Sequence, residues 1–215
     1  MMRTFQHIQL LFIATLLLAA CSPEAPLMTP EEANRINDLT AQMTTRCIGR
    51  YLIDLPEQFV LNSEAAATIE GIEIKVEPMT KPSFDARFKA YRAKLGATLL
   101  PMTKLPFLRA VLPLHDQAIG GVFDRGESDA NTFRAARTLE LWAWKQGFMI
   151  TGHIKAFDGT FPEDAEDSYV RNQGSDVPKK LAQLLRVYER VSGRAENEIP
   201  KSPGLCIANG FVAGP

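Results

Sequence analysis

The stretch RAARTLELWAWKQGFMITGHIKAF, Arg134 to Phe157, decides the fold class. Arg134 to Lys145 and Phe148 to Phe157 are two β-like runs separated only by Gln146-Gly147, a connection that suits a tight antiparallel hairpin. Upstream, Phe107 to Leu114 and Ile119 to Asp124 are two more β-like segments. Further back, GIEIKVEP (Gly71 to Pro78) alternates Ile72, Ile74 and Val76 with Glu73, Lys75 and Glu77, the pattern of a strand buried on one face. CIGRYLIDLP, Cys47 to Pro56, is read as another strand.

Helical signals are isolated between these runs. Thr29-Pro30-Glu31-Glu32 combines an N-cap hydroxyl, proline at the first helical position and a glutamate that returns a capping-box bond, predicting a helix to about Thr44. Ser83 is read as the cap of a second helix, in which Phe84, Phe88, Tyr91 and Leu95 form a core-facing stripe and Gly96 marks the end. Ser175 or Asp176 opens a third, with Val177, Leu181, Leu184, Leu185 and Tyr188 on one apolar face before Gly193. Strands in runs between isolated helices imply an α+β fold, mainly antiparallel sheet packed with about three helices.

The N-terminus carries a different message. Arg3 is the only charge in the first 20 residues, and the apolar run from Leu10 to Ala20 is too short to span a bilayer, so 1–20 has the layout of a signal peptide. Leu18-Ala19-Ala20-Cys21 is similar to the bacterial lipobox, which makes Cys21 a lipidation site and the mature N-terminus. Residues 21–29 then form a short Pro-containing tether, 30–198 the folded α+β domain, and 199–215 a Pro- and Gly-rich segment. Ile199, Leu205, Ile207, Phe211 and Val212 need something to pack on, so this segment reads as a connector or a terminal strand.

Composition excludes some functions. The chain of 215 residues has 24 basic and 25 acidic side chains, and loss of Arg3 moves the formal charge from −1 to −2. A nucleic-acid binder needs a basic face to displace counterions, which argues against that role. The two cysteines left beyond Cys21 are Cys47 and Cys206, an even pair in a chain routed to an oxidising compartment, and a disulfide between them is expected. Two buried, unpaired cysteines are the alternative.

The search for chemistry finds no catalytic motif. Gly126-Glu127-Ser128-Asp129-Ala130 lacks the second glycine of a nucleophile elbow. His115 and His153 are too far apart in sequence for the paired ligands of a zinc peptidase, and both read as surface or structural residues. Glu163, Asp164, Glu166 and Asp167 form the densest charge cluster but lack the glycine bend of an EF-hand. They read as a solvated acidic loop and as candidates for steering a basic partner. No phosphate-binding or dinucleotide-binding glycine loop occurs, so no cofactor and no metal are expected.

CIGRYLIDLP, followed far downstream by IPKSPGLCIANGFVAG (Ile199 to Gly214), resembles the immunity proteins of type VI secretion lipase effectors, in particular the class paired with the fourth effector group. The resemblance covers roughly Cys47 to Gly214, with Leu205 where the family has an aromatic residue. It implies a non-enzymatic lipoprotein of the periplasm that binds a phospholipase toxin and blocks its active site. The lipid anchor at Cys21 would hold it at a membrane, and Ser22 favours sorting to the outer membrane. The resemblance further implies that 199–215 leads toward a second domain that this sequence lacks, so binding weaker than that of a longer relative is expected. A structural or assembly lipoprotein of the cell envelope, or a secreted hydrolase with an unrecognised site, are the other readings.

Overall fold

In a computed structural model, the described residues are 28–62, 65–101, 103–115, 118–128, 134–160 and 168–214. They contain four helices and eleven strands: α1 (Pro30–Thr40), β1 (Met43–Ile48), β2 (Tyr51–Pro56), β3 (Ala67–Ile69), β4 (Ile72–Pro78), α2 (Lys81–Ala97), β5 (Leu108–Leu112), β6 (Ile119–Gly126), β7 (Ala136–Lys145), β8 (Phe148–Phe157), α3 (Ser168–Gln173), α4 (Val177–Arg190), β9 (Val191–Gly193), β10 (Gly204–Ile207) and β11 (Gly210–Ala213). The fold is α+β. The chain divides into a first unit through Gln42 and a second from Met43 onward.

Helix α1 is the helix among the described residues of the first unit. Thr29 accepts from the Glu32 backbone N–H, and the Glu32 carboxylate accepts from the Thr29 N–H at 2.8 Å, a complete capping box. Those bonds to the ionised form hold the Glu32 carboxyl below its ordinary value. The helix ends at Thr40, short of the expected Thr44, because Met43–Ile48 is a strand rather than a further turn of helix.

The second unit is organised by a six-stranded antiparallel sheet of order β3-β4-β8-β7-β6-β5. At its centre, β7 and β8 pair from Ala136↔Phe157 to Lys145↔Phe148 across Gln146 and Gly147, both of which have positive φ. Two left-handed residues make the turn whose twist matches the flanking strands. Both faces of this sheet are covered, which explains the apolar density of the central strands. On one face Ile72, Ile74, Val76, Val122, Leu139, Leu141, Ile150 and Ile154 pack with Leu184, Leu185 and Val187 of α4 and with Val191, Ile207 and Val212. On the other, Phe123, Trp142 and Met149 meet Phe84 and Leu95 of α2, with Phe88 and Tyr91 partly buried beside them. Tyr91 stacks on Trp142 with ring centroids 4.3 Å apart, while Phe123 meets both edge-on. At the start of β6, Gly120 has φ +129° and a Cβ there would lie 2.1 Å from the Trp142 carbonyl oxygen, so only glycine fits.

Several local readings are corrected. CIGRYLIDLP is not one strand: β1 and β2 form a hairpin in which Ile48 pairs with Tyr51 and Gly49 turns with φ +61°. Thr80, not Ser83, caps α2, with its hydroxyl accepting from the Ser83 N–H, and the helix continues through Gly96 to Ala97. Asp176 does stand at the N-cap of α4, as expected, and its carboxylate accepts from the Phe157 N–H at 2.6 Å, which ties the helix start to the end of β8. The segment after Gly193 follows the terminal-strand alternative and forms two strands, β10 and β11, which join β9 in a three-stranded sheet of order β10-β11-β9. Their pairing is antiparallel, and Cys206, Ile207 and Val212 enter the core.

Candidate interaction surface

Cys21 and the acidic residues Glu163, Asp164, Glu166 and Asp167 lie outside the described residues. The other two expected site residues are brought together: Cys47 on β1 and Cys206 on β10 form a disulfide with Cα atoms 5.8 Å apart. Beside it the Gly49 N–H donates to the Cys206 carbonyl at 3.0 Å, and the Cys206 N–H donates back to Gly49 at 2.7 Å. Arg46 adds an ion pair to Glu196 and a hydrogen bond to the Glu57 carbonyl at 3.0 Å. A two-stranded hairpin is marginal alone in water. Here covalent, backbone and ionic links join it to the segment between Glu196 and Cys206.

What this pinned hairpin presents is apolar. Tyr51 is 72% exposed and Leu52 59%, and on the segment after β2 Phe59 is 48% and Val60 81% exposed. Beside the disulfide runs a groove of about 320 Å³ lined by Ile48, Leu61, Ala66, Leu205 and Ile207 among others. Large apolar side chains held out on an ordered element are the signature of an interaction surface rather than of a catalytic centre. Tyr51, Leu52 and Ile53 are consecutive, so their side chains alternate between the two faces of β2, and all three are exposed.

The polar groups of the second unit have structural work instead. Glu140 accepts from the Tyr91 hydroxyl at 2.9 Å, from Arg125 Nε at 2.7 Å and from Trp142 Nε1 at 2.9 Å, which locks α2 to the sheet. Burial, with the neighbouring Glu140 charge, pushes the Tyr91 hydroxyl up to about 12. On the opposite face Arg137 donates twice to Asp124 Oδ1, at 3.0 and 2.7 Å, and Arg109 lies 3.8 Å from Asp158. Desolvation lowers the Arg137 and Arg109 guanidinium values, Arg109 to about 10. These groups form partly buried ion pairs, those of Arg125 and Arg137 tying the neighbouring strands β6 and β7 together.

His153 is exposed on β8, where it stands in register between Glu73 of β4 and Glu140 of β7. His115 lies beyond β5, so the two histidines are not on one element. Among the described residues no group of three or more His, Cys, Asp and Glu side chains is arranged to hold a metal ion.

Residues 44–194 match the family described as Tle cognate immunity protein 4 N-terminal domain. The fold is similar to that in a crystal structure of a Tle4–Tli4 complex, with a TM-score of 0.59 and 18% identity over 81% of this chain and 51% of the other. It is equally similar to the apo structure of the type VI immunity protein TplEi from Pseudomonas aeruginosa, with a TM-score of 0.59 and 19% identity over 80% of this chain and 51% of that one. This chain thus spans about half the length of the solved structures it matches. No curated protein matches it. With most of the α+β body inside the family match, the chain belongs to the immunity-protein family of type VI secretion lipase effectors.

Proposed function

We propose that this chain is a periplasmic lipoprotein that binds a type VI secretion phospholipase or lipase toxin and occludes its active site. The observation that carries this reading is the family match over 44–194, which spans nearly all of the β1–β2 hairpin, the six-stranded sheet, α2 and α4. A Tle4–Tli4 complex exists for a protein of the same fold, so binding an effector is the natural role to carry across. The mechanism needs a rigid shape, not a reacting group. A lipase must leave its active site open to lipid, and an immunity protein seated over that opening stops turnover without chemistry of its own.

Residues 1–20 serve as the lipoprotein signal, Cys21 receives the lipid, and 21–29 are the tether to the outer membrane. Tethering keeps the inhibitor beside the lipid that the toxin attacks and raises its local concentration. The Cys47–Cys206 disulfide suits an oxidising compartment such as the periplasm. The acidic cluster from Glu163 to Asp167 stays a candidate for contacting the toxin. Co-expression with the Tle4-class lipase of the same genome tests the reading: a stable complex on size-exclusion chromatography is expected, and separate elution of both proteins at micromolar concentration would refute it.

A further inference from the structure

Helix α2 covers one face of the sheet with Phe84, Phe88, Tyr91 and Leu95, which leaves its other side to solvent. That side is basic: Lys81, Arg87, Lys89, Arg92 and Lys94 stand against the single carboxylate Asp85, all exposed, in a chain whose formal charge is −1. Lys81 pairs with Asp85, and Arg87 pairs with Glu77 of β4. Lys89, Arg92 and Lys94 have no carboxylate partner among the described residues. Lys89 and Arg92 are three apart on the helix, a spacing at which like charges repel. Lys94 stands in the last turn, where a cation suits the helix dipole, while Lys89 and Arg92 stand before it and add to the positive charge of the exposed side.

The geometry points to a docking surface for an acidic patch on the lipase effector, an inference that rests on the inhibitory role proposed above. The outermost line of the helix is Ala86, Ala90, Ala93 and Ala97, all exposed, with Lys89 and Arg92 on one flank and Arg87 and Lys94 on the other. A partner surface can approach that line closely while its carboxylates meet cations at the rim, where charge mainly governs encounter rate and selectivity. A membrane surface is the weaker occupant. A helix that binds in the lipid interface places Trp, Phe or Leu outward, and the large apolar side chains of α2 all face the sheet. The opposite helix α4 also exposes Lys179 and Arg186, but its Arg190 is bonded to Glu70 and its Gln183 to the Glu70 carbonyl, so part of its outer side is already engaged.

The test measures association of the full chain with the purified Tle4-class lipase of the same genome by stopped-flow fluorescence at about 50 and 500 mM salt. The triple variant Lys89→Glu, Arg92→Glu, Lys94→Glu should slow association at least tenfold at low salt and abolish its salt dependence. The glutamine version of the same triple should fall between it and the unaltered chain. Lys179→Glu with Arg186→Glu should change the rate less than threefold, and circular dichroism should show every variant folded. Equal rates for the unaltered chain and both triple variants would overturn the inference while leaving the inhibitory role intact. So would a larger effect from the α4 pair, or loss of binding to phosphatidylglycerol vesicles in the triple variant with effector association unchanged. Failure of the unaltered chain to bind the effector at all would remove the inhibitory role, and this inference with it.

Discussion

Replacing Cys47 and Cys206 together with alanine opens a link between residues 159 apart in sequence. In the loop-closure model a cross-link over that separation restricts the unfolded chain by about 5 kcal/mol at 25 °C, extrapolating slightly beyond the tabulated loop lengths. Domains of this size are stable by only about 5–15 kcal/mol, so the loss is a third of the total or more. The two sites are 9% and 5% exposed, so deleting both sulfurs also leaves a small packing defect of the same sign. Urea unfolding of the oxidised protein and the double variant, with the slope checked for constancy, reads the difference as a shift of the midpoint. At a typical urea slope of about 2 kcal/mol per molar, a loss of 3–5 kcal/mol moves the midpoint down by roughly 1.5–2.5 M. The native hairpin should loosen as well, because one of its links to β10 is gone. Equal midpoints, or two free thiols in periplasmic protein mapped without reductant, would refute the reasoning.

Other perturbations follow from the same contacts. Asp124→Asn leaves the Arg137 guanidinium, 3% exposed, without its anionic partner, and should cost about 3–5 kcal/mol in urea unfolding. The Tyr91 hydroxyl is held neutral in the fold above its ordinary value near 10, so its contribution is complete below about pH 10 and is lost as pH rises toward 12. Tyr91→Phe should therefore flatten that part of the stability profile, which thermal melts across the alkaline range can follow. Cys21→Ala should release the protein from the membrane fraction and abolish palmitate labelling.

The layered α+β body was legible because its signals are local and repeated. Alternation in Gly71–Pro78, the Gln146-Gly147 turn, the aromatic stripe on α2 and the apolar face of α4 each stand out within a few residues. What was not legible depends on contacts distant in sequence. β10 and β11 have ordinary strand residues, but their burial comes from packing on Val76 and α4, more than a dozen residues away in the chain. β9 is three residues long and exists because β11 pairs with it. Thr80 displaced Ser83 as a cap because both hydroxyls sit at usable spacing, and only the backbone geometry separates them. At the candidate surface, the apolar residues of β2 were visible as letters. Their exposure follows from the hairpin standing as a separate two-stranded sheet, which no local pattern announces.

Titration of the lipase tests the central claim most directly. Purified Tle4-class effector of the same genome, assayed on phospholipid vesicles while this chain is added, should lose activity in proportion to the chain supplied and reach near-complete inhibition at a fixed stoichiometry. Full activity in excess chain, under conditions where the chain is folded and its disulfide intact, would contradict the account.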